Sequence, residues 1–557
     1  MKIKSLLIGM LASTAFVACT NDESPVNNEQ AVVGGEKQYV AVNIVTPGSV
    51  NGRATAEDFT QGEPNEVKVK DAVFLFLNRN YEGCANPYYI SNFGDWDAEG
   101  AGVGQDKQKR VLVIDGAKKD EVPAYIVAVL NPSDYNTDNY SANTTLAQLK
   151  TRYANYSGVT TNLVMSNAVY FDGTTNKEVA ATPITLDNIV TNKTDLEKTT
   201  YKPITIQVER VVGKVIVNQL ADAIADLNAN GLKETIDDQE NLKLEFVLTG
   251  WNVLQNNQSS LIKNVDATKW TIKNWNDAAL MRSYWANDYT VAGRTSYKVA
   301  DADKLKNTEF KYVEETVNQN ATKVDALNNL SPYLLVTGKF VKKGTAGTEN
   351  EEAVDLVEWR GNKYTAEGYL NFIAGNPEIS QYYTATTTVE GDAAVTKYTS
   401  FSADLLKLQD NEENDWGATA VLKNENTEFY TVTFKADGKT IDKATKVTVA
   451  EGQTNPVVAA IAKFGEVQYW NGGNTYYFVP IQHEVFNATD KTNHYGVVRN
   501  HIYKMNITKM SGYGTPVADP NDAIDQPEKP TIGDTYLAAD IVVLDWRVIS
   551  NDVTLGE

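Results

Sequence analysis

Alternation with a period of two residues restricts this chain more than any other feature. A run that alternates apolar and polar side chains gives one dry face and one wet face only as a β-strand. Residues 39–45 place Val40, Val42 and Ile44 on one side, and Pro47-Gly48 ends the run. Similar strand patterns occur at 68–77, 111–114, 124–130, 204–217 and 241–250, then at 428–436, 475–480, 500–507 and 538–549. Residues 141–153 read as a helix instead. Leu146, Leu149 and Tyr153 recur at helical spacing behind the capping residues Thr144 and Thr145. Asn-, Thr- and Asp-rich segments at 301–330 and 341–356 read as surface loops or small insertions between strands. The expected fold is mostly β, with two β-sandwich domains and a few short helices. A more polar stretch near 215–245 marks the boundary between them, which gives domains at 54–240 and 241–530.

Charge narrows the list of partners. The 557 residues carry 51 basic and 72 acidic side chains, a net of −21. Such a chain repels phosphate backbones, so nucleic acid is excluded as a natural partner. Three histidines and two cysteines leave little material for imidazole or thiolate chemistry. His483, His494 and His501 lie close in sequence without the spacing of a zinc site or a triad. No phosphate-binding loop, dinucleotide fingerprint or nucleophile elbow is present. No pair of carboxylates stands out for glycoside hydrolysis. The reading is therefore non-enzymatic and without a cofactor. Asp226, Asn228, Asn230, Gly231, Glu234 and Asp237 follow the oxygen spacing of a calcium loop. A polar turn at a helix end accounts for the same residues.

Residues 1–19 read as a lipoprotein signal. Lys2 and Lys4 precede an apolar stretch, 6–18, that is too short to span a bilayer and ends in Ala18-Cys19. Cleavage between Ala18 and Cys19 exposes Cys19 for acylation. Residues 20–53 then form a propeptide that contains the 39–45 strand. Cys84 is the only other cysteine, so no disulfide staples the mature chain. Arg53-Ala54 follows the first strand in a Gly- and Thr-containing stretch, a natural site for a trypsin-like, arginine-directed protease. The cut removes four basic and four acidic residues, so the shorter chain keeps the net charge of −21. At the other end, residues 531–557 hold the alternating run 538–549, with Val542, Leu544, Trp546 and Val548 on one face. Such a run serves either as the last strand of its own sheet or as a strand offered to another molecule.

Several segments, taken in order, resemble one family. They are the lipobox at Cys19, Arg53-Ala54, Val208 through Val215 (VERVVGKV), and Arg282 through Ala286 (RSYWA). Tyr477 through Ile481 (YFVPI), Tyr495 through Tyr503 (YGVVRNHIY) and the tail around Trp546 complete the set. Together they resemble the fimbrillins of Bacteroidales, the type V pilins, and most closely the shaft subunits of short fimbriae. The resemblance implies two transthyretin-like β-sandwiches and export as a lipoprotein to the outer membrane. It implies a cut after Arg53, loss of the strand carrying Val40, Val42 and Ile44, and entry of the neighbouring subunit's C-terminal strand into the vacancy. The expected partners are further copies joined head to tail, minor anchor and tip subunits, the processing protease, and host or bacterial surface receptors. The alternative readings are a tip or anchor subunit, or a glycan-binding surface lipoprotein adhesin.

Overall fold

The computed structural model describes residues 37–45, 66, 68–93, 107–118, 121–132, 140–155, 162–168, 170–172, 177–219, 232–233, 241–242, 244–254, 259–261, 297–298, 310–318, 333–342, 344–390, 393–411, 414–484, 494–497, 499–510, 512–524, 537–545 and 547–549. It is mostly β, with several sheets and few short helices. The first half contributes β1 (Gln38–Val45), β2 (Ala72–Leu77), β3 (Tyr88–Ile90), β4 (Lys107–Ile114), β5 (Tyr125–Leu130), β6 (Met165–Asn167) and β7 (Ile204–Arg210). They hydrogen-bond in the order β3-β2-β5-β6-β7-β1-β4, and Thr182–Pro183 adds a short strand beside β5.

Alternation in β2 divides its side chains between two cores. Ala72, Phe74 and Phe76 face a core shared with Val40, Val42, Ile44, Leu112, Ile126, Ile204 and Ile206. Val73, Leu75 and Leu77 face a second cluster with Leu146, Leu149, Val211, Val212, Tyr312 and Ile502. A strand buried on both faces needs apolar residues at every position, and AVFLFL supplies them. The helix expected at 141–153 is only Leu146–Lys150, closed by a capping box between Thr145 and Gln148. Tyr153 instead begins a strand, Tyr153–Asn155, paired with Ser259–Leu261, so tertiary pairing overrides the helical spacing.

The second half contributes β8 (Gly213–Gln219), β9 (Leu244–Leu254), β10 (Lys311–Val313), β11 (Tyr333–Lys342), β12 (Asn474–Pro480), β13 (Ile502–Met510), β14 (Leu537–Asp545) and β15 (Arg547–Ile549). One sheet runs β10-β8-β13-β14-β15, and a second runs β9-β11-β12 followed by Thr515–Pro516. Val215, Val313, Tyr503 and Met505 of the first sheet share a core with Phe246, Trp251, Leu334, Val336 and Tyr477 of the second. Gly338 is required there, because a Cβ would sit 2.0 Å from the Phe246 ring.

A long insertion separates β11 from β12 in the chain. These neighbours pair directly, yet the chain between them builds a separate core. Leu356–Trp359, Asn362–Thr365, Leu406–Asn411, Asn414–Leu422 and Glu466–Trp470 form a sheet covered by helices Ala366–Ala374 and Pro456–Ala462. From it project two hairpins, Tyr382–Glu390 with Ala393–Ser400 and Tyr430–Phe434 with Ile441–Lys446. Among the described residues their strands pair at Tyr382–Thr431 and Tyr383–Tyr430, the Tyr398 and Tyr430 rings also meet, and Val389 near one tip is 76% exposed.

Candidate functional site

β1 is an interior strand. Along one edge it pairs antiparallel with β4, setting Val40 opposite Leu112 and Val42 opposite Arg110. Along the other edge its second half pairs in parallel with β7, Val42 opposite Ile204 and Ile44 opposite Ile206. Its first half is held differently. Tyr39 and Val190 exchange backbone hydrogen bonds of 2.7 and 3.0 Å. The Ala41 N–H donates 2.8 Å to the Tyr201 hydroxyl, which donates 2.8 Å to the Asn188 carbonyl. Burial holds the Tyr201 phenol above its ordinary range, which keeps that donor protonated.

Beneath β1 lies a continuous apolar trough. Val40, Val42 and Ile44 are each 0% exposed and pack with Phe74, Phe76, Leu112, Ile126, Ile204 and Ile206. Each such side chain contributes roughly 1.5–3 kcal/mol through burial. Removing β1 exposes that trough together with ladder groups on β4 and β7, a ready template for another extended strand.

Tyr201 gives the trough a polar handle that alternation in the sequence could not reveal, since it lies 160 residues from Ala41. Tyr201→Phe is expected to cost about 1–2 kcal/mol by leaving the Ala41 N–H and the Asn188 carbonyl without this partner. The readout is faster amide hydrogen exchange across 38–45. Unchanged exchange there rules out the hydroxyl as a clamp on the strand.

A buried polar knot closes the end of this sandwich. Glu66 is 1% exposed, and its Oε1 accepts from Lys214 Nζ at 2.6 Å and from the Tyr312 hydroxyl at 2.9 Å. Its backbone carbonyl accepts 3.0 Å from Arg210 Nε. Arg210 Nη1 also donates 3.1 Å to Asn500 Oδ1, and Lys214 Nζ lies 4.0 Å above the Phe310 ring. Burial pulls the Arg210 guanidinium down to about 10, with Glu66 opposing the shift, so it remains charged at neutral pH. Arg499, the neighbour of Asn500, pairs through Nε with Glu315 across 184 residues of sequence, and both are buried. The knot joins the residue that follows the 46–65 segment to β7, β8, β10 and the approach to β13.

The C-terminal run differs in form from the single strand expected at 538–549. It is a hairpin of β14 and β15, with Val542 opposite Lys504 of β13, and Leu544 opposite both Ile502 of β13 and Val548 of β15. Folding back sets Asp545 opposite Arg547 and Val543 opposite Ile549 in the register. β14 and β15 form the outer edge of their sheet. Ala18, Cys19, Arg53, Ala54, Trp546 and the calcium-loop residues Asp226, Asn228, Asn230 and Asp237 lie outside the described residues.

Among the described residues, no group of three or more His, Cys, Asp or Glu is placed to hold a metal ion. His501 is buried, with Nδ1 2.6 Å from the Arg499 carbonyl. Cys84 is also buried, its thiol pushed up to about 12 chiefly by desolvation, which makes it inert as a nucleophile. No described helix is long and apolar enough to cross a membrane.

The chain has no match among curated proteins. In solved structures it is similar to a fimbrilin of Porphyromonas gingivalis at 14% identity, covering 93% of this chain and 98% of that one, with a TM-score of 0.32. It is similar to a fimbrial assembly protein of Parabacteroides distasonis at 11% identity, over 66% and 100% of the two chains, with a TM-score of 0.28. It is similar to a tip fimbrial protein of Porphyromonas gingivalis at 10% identity, over 65% and 99%, with a TM-score of 0.27. Residues 468–552, which include β12, β13 and the C-terminal hairpin, match the family model for the C-terminal region of fimbrillin, the major fimbrial subunit protein type IV.

Proposed function

We propose that this protein is a structural subunit of a cell-surface fimbria that polymerises by exchange of strands. The precursor carries lipid on Cys19 and reaches the outer membrane. A trypsin-like protease cuts between Arg53 and Ala54, β1 leaves, and the C-terminal segment of the next subunit occupies the trough. Val542, Leu544, Trp546 and Val548 of the donor take over the burial supplied by Val40, Val42 and Ile44. Anchor and tip subunits bound the polymer, and the shaft supports adhesion and aggregation. The domains follow as 54–240, 241–530 and the donor segment 531–557.

The observation that carries this reading is the placement of β1 as an interior strand bonded along both edges, with Val40, Val42 and Ile44 fully buried. It is joined to the rest of its domain through a segment that contains a tryptic site. A contact in which one subunit's tail enters another subunit's trough is head to tail, so it propagates into filaments rather than closing a dimer. Donation requires the C-terminal hairpin to leave the edge of its own sheet. An edge can be shed while β8 and β13 keep their own pairing.

A chain ending at Pro530 tests the donor half of this reading. After trypsin treatment it is expected to remain in the supernatant on sedimentation, while the full chain pellets as filaments visible by electron microscopy. Normal filaments from the shortened chain reject the assignment of 531–557 as donor.

A further inference from the structure

We propose that Lys311 and Asn252 become joined by a side-chain amide bond that staples the two sheets of the second sandwich. Lys311 lies on β10, opposite Val215 of β8, and Asn252 lies on β9, opposite Leu335 of β11, so the pair bridges facing sheets. The Lys311 Nζ donates to Asn252 Oδ1. The same oxygen accepts 2.8 Å from the backbone N–H of Val253. Asn252 is 4% exposed, and its chain neighbours Trp251 and Val253 pack in one core with Val215 and Val313.

This setting supplies what amide formation needs. Among the described residues no carboxylate pairs with Lys311, and burial pulls its ammonium below the usual lysine range. A neutral lysine amine is a competent nucleophile in a desolvated site. Its lone pair adds to Cγ of Asn252, and the charge that develops on Oδ1 is met by the Val253 N–H. Collapse of the adduct keeps the new Nζ–Cγ bond and breaks Cγ–Nδ2. Ammonia departs with a proton from Nζ, so no oxidant or cofactor is consumed. Adjacent placement in a packed core replaces the catalyst that the reaction lacks in solution. The link closes a loop between positions 59 residues apart, and among the described residues the cysteine present, Cys84, is free rather than bridged.

Mass spectrometry of the purified, folded protein decides the matter. The unaltered chain is expected to be lighter than its processed sequence by one ammonia, about 17 Da. A protease digest should then contain a branched peptide joining residues 252 and 311. Lys311→Met and Asn252→Ala should show no loss, and Asn252→Asp should lose water, about 18 Da, in place of ammonia. A full sequence mass for the unaltered chain, with 252 and 311 in separate linear peptides, overturns the proposal. So does Asn252 found as unlinked aspartate. Both measurements use the unaltered protein and decide the question even if a variant fails to fold.

Discussion

Arg53→Ala is expected to leave the protein monomeric after limited trypsin treatment, whereas the unaltered chain assembles into filaments that sediment. Arg53 is the only lysine or arginine between residues 46 and 65. Upstream lies β1, bonded along both edges, and downstream lies Glu66, held by Lys214, Tyr312 and Arg210. A cut at that one place separates β1 from the knot. While the segment is intact, β1 remains tethered beside its trough, so an incoming strand competes with an intramolecular rival at high effective concentration. Cleavage removes that advantage and lets the displaced strand diffuse away. The pelletable fraction of Arg53→Ala should fall to background, and a second tryptic site placed between 46 and 65 should restore it. Filaments forming normally from Arg53→Ala show that excision at this site is not the trigger.

Lys214→Met is expected to destabilise the protein by about 3–5 kcal/mol, the usual cost of leaving one partner of a buried ion pair uncompensated. Lys214 is 4% exposed and Glu66 1%, so solvent cannot take over the lost contact. The damage should spread, because Glu66 also meets the Tyr312 hydroxyl and, through its carbonyl, Arg210. Chemical denaturation of the full chain reports the loss, and hydrogen exchange at 204–219 locates it at the knot. Glu66→Gln combined with Lys214→Met should cost less than the sum of the two single changes, because the stranded carboxylate is gone. A loss under about 1 kcal/mol for Lys214→Met would mean that Glu66 is satisfied without it.

The fold class was legible because alternation is a local signal. Val40, Val42 and Ile44 read as one face at 39–45, and all three are fully buried. The insertion between β11 and β12 was not legible as a unit. Its core depends on residues such as Tyr369, Ile373, Val457 and Ile461 on helices far apart in sequence, and its projecting hairpins are rich in Thr, with Lys and Asp among them. The helix at 141–153 was overextended because Tyr153 obeys helical spacing but answers to the partner strand Ser259–Leu261. At the candidate site, alternation gave the apolar side of β1 and nothing of what holds its backbone. Tyr201 meets Ala41 across 160 residues, and Glu66 meets Lys214 across 148 and Tyr312 across 246. Pairings at such separations arise from topology and leave no periodic trace. The C-terminal hairpin was hidden for a related reason, since both a straight strand and one that turns back after Asp545 satisfy the same alternation.

Peptide mapping of filaments, washed free of unbound protein, measures directly whether the polymer has given up its first strand. Subunits in the polymer are predicted to begin at Ala54, with no peptide recovered from 37–53. Recovery of 37–45 in amounts matching the rest of the chain would contradict strand replacement, because the trough would still hold its original occupant.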